Sequence, residues 1–367
     1  MTPDPVEAGG RGPTPVLVPV LPAHHFDEVA LLHYLAPRVE GLGATVAIRQ
    51  FQGGQSNPTF LLEGAARPMV LRKKPPGALL RSAHQVEREF RVISALYGSA
   101  VPVPRPILLC EDDSVIGTPF YLMDYVEGRV YPRLEYVEGS PEETAALWAA
   151  MCETMAALHG IDWKAAGLSD FGRPEGYLER QIDRWSRQYE ASVVDVADPA
   201  MARLAAWLRE NRPRESRTTI AHGDFRFGNM VFAPKTPRVA AVLDWELATL
   251  GDPLSDLAYC CLPYHLPADQ PGVRGLLGCD LARLGVPREE EFIDAYCRRS
   301  GRSGIPDWPF YLAFALFRLA AIVQGVYARG VRGNASSANA AAVGGRASLF
   351  IATGWSLATQ GQAVEHC

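Results

Sequence analysis

Alternating apolar and polar residues mark the first part of the chain as rich in strands. The runs "ATVAIRQFQ" and "PTFLLEG" carry β-branched and aromatic residues, and the turn-forming cluster "GGQSN" lies between them. "PMVLRKK" predicts a third strand, in which Val70, Arg72 and Lys74 share one face because side chains alternate along a strand. A further strand is predicted in "GTPFYLMDYVEGR", which leads into a polar, glycine-containing segment.

An amphipathic helix is predicted after the third strand. Ser82 can cap it, with Gln85 three residues later. Its apolar stripe consists of Val86, Phe90, Ile93 and Tyr97. Glu89 lies on the edge of this stripe, where a carboxylate is unfavourable unless a cation meets it. Two interpretations stay open: Arg72 or Lys74 on the preceding strand supplies that cation, or Glu89 is solvated.

Helical patterns dominate the rest of the chain. "SPEETAALWAAMCETMAALHG" begins with a Ser-Pro cap and ends at a glycine, and "PAMARLAAWLREN" predicts a second helix. The most apolar segment, residues 310–328, is interrupted by Arg318 and Gln324, so we expect a buried core helix rather than a membrane span of about 20 apolar residues. The expected organisation is a flexible leader over residues 1–25, a β-rich lobe over 26–125 and a helical lobe over 126–367.

Composition narrows the classes of partner. The 367-residue chain is long enough for two lobes with sizeable cores. Its net charge of -5 argues against nucleic acid, because phosphate backbones favour basic surfaces, and no membrane partner is expected. The seven cysteines include no C-x-x-C pair, and the N-terminus lacks the basic start and apolar run of a signal peptide. We therefore expect a cytoplasmic protein, whose oligomeric state the sequence leaves unknown.

The segment "HGDFRFGN" carries the pattern with the most chemical content. Phosphoryl transfer needs cradled nucleotide phosphates, Mg²⁺ held by oxygen ligands and a base aimed at the acceptor hydroxyl. Kinase catalytic loops read H-R-D-x-x-x-x-N, and this segment keeps His222, Asp224 and Asn229 at that spacing, with a glycine in place of the Arg. Asp244 in "VLDWE" ends a predicted buried strand, where a second metal ligand would stand. The alternative is a polar loop and an acidic strand end that bind nothing.

The chain resembles the aminoglycoside phosphotransferase (APH) family, a branch of the protein-kinase-like fold. More narrowly, the chain resembles the kinase-like domains linked to acyl-CoA dehydrogenases. The matching segments follow the family order from about Val46 to Gly333; they are "FQGGQSNPTFLL", "MVLRKKPPG", "VEREFRVISAL", "FYLMDYVEG", "IAHGDFRFGNMVF", "VLDWELATLGDPLSDLAY" and "FRLAAIVQGVYARG". The resemblance implies a bilobal α+β protein, with a small β-rich N-terminal lobe that binds nucleotide and a larger helical C-terminal lobe.

The resemblance also implies roles in phosphoryl transfer. Asp224 corresponds to the catalytic base, and Arg226 occupies the place where kinases carry a Lys near the transferred phosphate. Asn229 and Asp244 correspond to ligands of Mg²⁺. Asp256 corresponds to the residue that hydrogen-bonds the backbone of the catalytic loop.

A second set of positions corresponds to the nucleotide site, with ATP or GTP as cosubstrate. Arg72 stands where kinases carry a Lys, which is a departure; Arg can hold phosphate bidentately, and Lys74 on the same face is the alternative. Glu89 corresponds to the helix Glu that holds this cation. The phosphate-covering turn comprises Gly53, Gly54, Ser56 and Asn57, and the hinge that offers backbone groups to adenine comprises Met123, Asp124 and Val126.

Three functions remain open at this point. The first is a small-molecule kinase whose acceptor is anionic, such as a hydroxyacyl-CoA, because residues 311–367 carry Arg318, Arg329, Arg332 and Arg346 against Glu365 alone. The second is an aminoglycoside kinase, for which carboxylates just upstream would bind the polycation. The third is a nucleotide-binding regulator with little turnover.

Overall fold

In the computed structural model of the chain, the alternating segments form a six-stranded antiparallel sheet with strand order β1-β2-β3-β4-β6-β5. The strands are β1 (Leu17–Val18), β2 (Ala47–Phe51), β3 (Thr59–Glu63), β4 (Met69–Lys73), β5 (Pro106–Cys110) and β6 (Phe120–Asp124). The four strands predicted from the sequence are β2, β3, β4 and β6. The structure describes residues 16–43, 45–52, 57–75, 85–131, 139–194, 196–214, 217–270, 272–273, 275–331 and 344–360.

Two helices accompany this sheet. Helix α1 (Glu28–Leu35) buries its apolar residues against one sheet face, in a core that includes Leu31, Phe60, Leu71 and Leu122. Helix α2 (Val86–Leu96) packs against β5 and β6 and is the predicted amphipathic helix. Its N-cap is Gln85, while the predicted cap Ser82 lies outside the described residues. Tyr97 does not extend the apolar stripe, because the backbone turns extended there and its side chain is exposed.

The later part of the chain is mainly helical. Its helices are α3 (Pro141–Gly160), α4 (Tyr177–Ser192), α5 (Pro199–Glu210), α6 (Leu254–His265), α7 (Leu281–Leu284), α8 (Glu289–Ser300), α9 (Trp308–Val331) and α10 (Gly344–Gln360). Four short strands pair as two antiparallel ribbons: β7 (Thr219–Ala221) with β10 (Thr249–Gly251), and β8 (Met230–Phe232) with β9 (Val239–Val242). Helix α9 packs against α4, α5, α6 and α10, and α3 packs against α8. As predicted, Ser140 caps α3.

The chain divides into two compact units that do not follow the predicted lobe boundaries. The first unit comprises Met1–Val137 and Phe227–Ala248, and the second comprises Glu138–Arg226 and Thr249–Cys367. The β8–β9 ribbon belongs to the first unit because its backbone bonds there: Phe232 exchanges two 2.8 Å hydrogen bonds with Arg129, and the Val242 N–H donates to the Pro102 carbonyl. Within residues 1–25, where a flexible leader was predicted, Leu17 and Val18 form β1 and pair with β2.

Helix α9 matches the predicted core helix. Within the described residues it is the one helix long and apolar enough to cross a membrane by length and composition. However, 67% of its most apolar window is buried inside the structure. Its apolar side chains therefore pack against neighbouring helices and are buried there, as in the core helix of a helical layer.

Lys73 is an unusual residue on the core face of β4. Alternation places it with Met69 and Leu71, and the residue is only 1% exposed. Its Nζ lies 5.7 Å from the centre of the Phe26 ring. Burial lowers the pKa of Lys73, because the ammonium loses hydration that a nearby ring only partly replaces.

We predict that Lys73→Met raises the free energy of unfolding at neutral pH. Because the folded-state pKa of Lys73 lies below its unfolded value, the burial penalty is fully present below the folded pKa and disappears as pH rises toward about 10.4, the unfolded pKa of lysine. Chemical denaturation at pH 7.5 and pH 10 should therefore show a gain that shrinks at the higher pH. Lys235→Met, which replaces an exposed lysine of the same unit, is the matched control. A destabilised Lys73→Met protein would contradict this account.

Candidate active site

The backbone of the predicted catalytic loop is held from helix α6. Asp256 is fully buried and accepts hydrogen bonds from the main-chain N–H groups of His222 (2.6 Å) and Gly223 (2.8 Å). This is the contact expected for Asp256 from the sequence. His222 is buried too, and its Nδ1 accepts the N–H of Asp224 at 3.1 Å. His222 therefore orders the loop.

His159 on α3 completes the surroundings of Asp256. Its Nε2 lies 3.4 Å from the Asp256 carboxylate, and its Nδ1 lies 2.8 Å from the Tyr296 hydroxyl. Burial by itself would raise the pKa of Asp256, but the His159 contact and the His222 backbone N–H hold it below its ordinary value. The carboxylate stays ionised and continues to accept the two main-chain hydrogen bonds of the loop.

Asp224, the predicted base, follows the clamped segment directly. Its carboxylate oxygens lie 3.1 and 3.2 Å from Nε of Arg226, the second predicted catalytic residue. Both side chains are partly buried. A partly buried pair of this kind is screened less than one at the surface, so Arg226 neutralises much of the Asp224 charge in this state.

Arg72 joins two carboxylates within the first unit. Its Nε lies 2.8 Å from Glu89 Oε2, and its Nη2 donates to Asp244 Oδ1 at 2.6 Å. Burial alone would lower the pKa of Arg72, but Glu89 and Asp244 together raise it well above its ordinary value. Of the two cations that the sequence offered to Glu89, the structure uses Arg72, while Lys74 pairs with Glu87 at 2.9 Å.

Glu89 is fully buried and meets one cation and two hydrogen-bond donors. Besides Arg72, the amide Nδ2 of Asn57 donates to it at 2.6 Å and the hydroxyl of Tyr121 donates at 3.1 Å. The sequence interpretation of a solvated Glu89 is therefore wrong. Asn57 was predicted on the phosphate-covering turn, but its buried amide supports Glu89. The other predicted residues of that turn, Gly53, Gly54 and Ser56, lie outside the described residues.

Both predicted metal ligands lie at one end of the β8–β9 ribbon. Met230 pairs with Val242, and the Leu243 N–H donates to the carbonyl of Asn229 at 2.8 Å, so Asn229 and Asp244 flank the same end. Asp244 has a φ of 66°, a left-handed conformation that few residues other than Gly adopt without strain. Such strain is often retained where a side chain must be aimed at a ligand.

The donor set of this ribbon end fits Mg²⁺. An amide oxygen and a carboxylate are hard oxygen ligands, and Mg²⁺ is commonly held by one or two protein groups together with phosphate oxygens and water. The described residues contain no group of three or more His, Cys, Asp or Glu side chains arranged to hold a metal ion. Asn229 and Asp244 would therefore need phosphate oxygens to complete such a site.

The predicted hinge is tied by its backbone. The Asp124 N–H donates to the Arg105 carbonyl and the Tyr125 N–H donates to the Pro68 carbonyl. The Asp124 carboxylate meets Arg67 and Arg105, each at 3.0 Å, and its side chain is thereby occupied. Among the described groups none accepts from the N–H of Val126, which makes it the hinge donor that a nucleotide base could use.

Three supporting residues are absent from the sequence prediction or carry another role there. Tyr121 reaches Glu89 because it pairs with Arg72 across β4 and β6, a register that the sequence does not show. Tyr259 and Arg318 contact the Asp224 segment from α6 and α9. Arg318 was predicted among the acceptor-facing cations, but it is 3% exposed and donates to the Gly223 carbonyl.

A cavity of about 530 Å³ lies in the second unit near the α4–α5 loop, α9 and α10. Its described lining includes Tyr189, Asp198, Gln324 and Tyr327, with Asp198 as the one charged side chain among them. None of the site residues predicted from the sequence belongs to that lining. The described walls thus offer no cation to an anionic ligand.

Comparison with solved structures defines the class of fold. The chain is similar to choline kinase from Cryptosporidium parvum, with a TM-score of 0.65 and 13% identity over 91% of this chain and 97% of that one. It is also similar to a crystal structure from Ralstonia eutropha, provisionally named an aminoglycoside phosphotransferase, with a TM-score of 0.81 and 43% identity over 92% and 99% of the two chains. The fold is therefore kinase-like, with an N-terminal antiparallel sheet and a helical C-terminal part.

Sequence comparison identifies the family. A model of the APH family, described as a phosphotransferase enzyme family, matches residues 47–314. The chain belongs to this family. Acyl-CoA dehydrogenase family member 10 of Mus musculus is 48% identical over 313 residues, which cover 85% of this chain and 29% of that protein. The chain spans less than half of the curated acyl-CoA dehydrogenase relatives that it matches, between 29% and 42% of the first few.

We predict that Arg72→Met destabilises the protein by about 3–5 kcal/mol, because Glu89 is left buried without its cation. The double variant Arg72→Met, Glu89→Met should recover much of this loss. Lys74→Met is the matched control; it removes a partly exposed pair with Glu87 and should cost less than about 1 kcal/mol. Chemical denaturation measures all three. An Arg72→Met loss no greater than that of the control would show that the buried pair does not hold the first unit.

Proposed function

We propose that this chain transfers the γ-phosphate of ATP or GTP to a hydroxyl of a small anionic molecule, with a hydroxyacyl-CoA thioester as the favoured acceptor. One observation carries the proposal: Arg72 contacts both the buried Glu89 and the strained Asp244. In this arrangement Arg72, the proposed phosphate-binding cation, lies beside Asp244, the proposed metal ligand. A β-sheet can form without a buried ion pair and without a left-handed Asp, so both features call for another explanation.

The first unit supplies the groups for the nucleotide. Arg72 would contact its phosphates, since a guanidinium presents five donors and two contacts to carboxylates leave others available. The Val126 N–H would donate a hydrogen bond to an acceptor atom of the nucleotide base. Asn229 and Asp244 would hold Mg²⁺, which when bound neutralises charge that develops on the transferred phosphoryl group.

The second unit supplies the base. Asp224 would accept the proton of the acceptor hydroxyl while that oxygen bonds to the γ-phosphorus and the bond from phosphorus to the bridging β-oxygen breaks, which releases the nucleoside diphosphate. In the state described here Arg226 covers both oxygens of Asp224. A phosphate group would compete for this guanidinium, and loss of Arg226 would leave the Asp224 carboxylate available as a base.

The partners of the upstream carboxylates argue against a polycationic acceptor. Several carboxylates upstream of α9 already have structural partners: Asp280 caps α7, Glu289 contacts His265 and Trp308, and Glu291 pairs with Arg288. They are therefore not a free acidic lining. Of the four predicted cations, Arg329 is exposed and Arg346 is half-buried, whereas Arg318 is committed to the loop and Arg332 lies outside the described residues.

The similarity to acyl-CoA dehydrogenase relatives supports the thioester. Those proteins are named for acyl-CoA chemistry, and this chain matches a minor part of each. A phosphotransferase segment in such a polypeptide is most simply explained if it prepares or removes a hydroxylated acyl-CoA. The activity and substrates of the longer proteins remain proposals for this chain.

We predict that Asp224→Asn and Asp244→Ala separate chemistry from metal-dependent binding. Asp224→Asn should lower turnover by about 10²–10⁴-fold, the usual contribution of a positioned base, with nucleotide affinity largely kept. Asp244→Ala should abolish the gain in nucleotide affinity that Mg²⁺ confers. Calorimetry with and without Mg²⁺, together with turnover, distinguishes the two.

Asp183→Asn is the matched control for this pair, because its carboxylate is exposed and, within the described part of the chain, pairs with Arg209. It should behave as wild type. Wild-type turnover in Asp224→Asn would refute the base, and nucleotide binding indifferent to both Mg²⁺ and the Asp244 change would refute the metal ligand.

We predict release of nucleoside diphosphate with short to medium hydroxyacyl-CoA thioesters and none with aminoglycosides. Both panels are offered with Mg²⁺ and ATP or GTP, and Asp224→Asn serves as the blank. Turnover with aminoglycosides alone would mean that the charge argument is wrong. Binding of nucleotide without turnover on either panel would favour the nucleotide-binding regulator.

A further inference from the structure

Tyr259 touches the proposed base from helix α6. It is half-buried, and its hydroxyl donates a hydrogen bond to the Asp224 carboxylate. Burial and then the negative charge of Asp224 raise the pKa of Tyr259 above its ordinary value. The phenol is therefore a neutral, permanently protonated donor, and it can fix a carboxylate without cancelling its charge.

Arg318 supports Tyr259 from helix α9. Its guanidinium carbon lies 5.5 Å from the centre of the Tyr259 ring and 5.6 Å from that of Trp185. No carboxylate of the described residues lies within ion-pair distance of this buried cation. Two ring faces and a carbonyl hold it instead, and removing an arginine from water for so few partners is unfavourable unless the contacts serve a purpose.

The carbonyl that Arg318 binds belongs to the peptide unit just before the Asp224 side chain. Arg318 Nη2 donates to the Gly223 carbonyl, and the N–H of the same peptide unit, that of Asp224, donates to His222 Nδ1. Both the C=O and the N–H of this peptide unit are therefore hydrogen-bonded. Gly223 has a φ of 85°, so the loop turns here through a conformation that a side chain would strain.

We propose that Tyr259 and Arg318 are positioning residues for Asp224: Tyr259 fixes its carboxylate, and Arg318 fixes both the Tyr259 ring and the preceding peptide. This inference rests on the proposed role of Asp224 as base. It adds a side-chain support from α6 and α9 to the backbone support that Asp256 gives.

The two donors to Asp224 have different tasks in this arrangement. Arg226 is a cation that a phosphate can attract away, whereas Tyr259 is neutral and is held against Arg318. Tyr259 keeps the carboxylate in place after Arg226 leaves. One oxygen can then face the acceptor hydroxyl while the other stays bonded to the phenol.

The first test is Tyr259→Phe against Tyr264→Phe. Both changes remove one hydroxyl from the same helix, but the Tyr264 hydroxyl donates to the Pro287 carbonyl and leaves Asp224 untouched. Tyr259→Phe should lower kcat by about 10- to 100-fold, the effect of losing a hydrogen bond to a charged group, with KM for the nucleotide unchanged. Tyr264→Phe should retain wild-type kcat. Equal kcat in the two variants would overturn the proposal.

A second measurement needs no acceptor. The side-chain carboxyl carbons of aspartate are labelled with carbon-13, and Asp224→Asn identifies the Asp224 signal. The charged and titratable groups around it among the described residues are Arg226 and His222 on its loop, Tyr259, Asp256 and Cys260 on α6, and Arg318 on α9. Loss of the phenol donor in Tyr259→Phe should raise the pH midpoint of that signal by about 1 unit, and Tyr264→Phe should leave it in place.

Arg318 is tested by graded replacement. Arg318→Lys can still reach a carbonyl but cannot span two rings, so it should recover part of the kcat that Arg318→Met loses. Wild-type kcat and an unmoved carbon-13 midpoint in Arg318→Met would remove Arg318 from the support. If the wild-type protein turns over no acceptor, the proposed function fails, yet the carbon-13 midpoints of the Tyr259 and Arg318 variants still decide this inference.

Discussion

A carboxylate that is shut off from water must be met by donors, and each unit of this chain is organised around one such group. In the first unit the group is Glu89, which receives Arg72, Asn57 and Tyr121. In the second it is Asp256, which receives two main-chain N–H groups and His159. Any donor that moves leaves a charge in a medium of low dielectric constant, so the donors are held in place. Two candidate site residues are linked to these donors: Asp244 contacts Arg72, and Asp224 directly follows the segment whose N–H groups bind Asp256.

Arginine is used where a single charge must serve several partners. Arg72 reaches Glu89 and Asp244 through different nitrogens, and Arg318 combines a carbonyl with two aromatic faces. A lysine offers one nitrogen on a flexible stem and could not make either set at once. The geometry gives a reason for the departure from the usual kinase lysine at position 72: the side chain here contacts Asp244, the proposed metal ligand, as well as Glu89.

Local pattern was enough to predict some of this site. The spacing of His222, Asp224 and Asn229 and the position of Glu89 on an apolar arc are properties of short segments, and the strands and helices around them follow the same periodicities. Contacts between distant segments were not predictable in this way. Arg318 donates to a carbonyl 95 positions earlier in the chain. From its charge alone it was predicted to face the acceptor, but the structure buries it. Asn57 was likewise assigned to a turn from its neighbours, although its amide serves a carboxylate 32 positions away.

The first unit is discontinuous, since Phe227–Ala248 is inserted from a stretch flanked on both sides by the second unit. That topology limits how this family can exchange parts. A chimera that joins the N-terminal segment of one relative to the remainder of another would pair its Arg72 with a foreign Asp244 and its Arg129 with a foreign ribbon. A chimera that keeps the first unit intact must take both Met1–Val137 and Phe227–Ala248 from the same relative, which requires three crossover points instead of one. Cut points for grafting or truncation are therefore set by the ribbon and not by the apparent end of the sheet at Asp124.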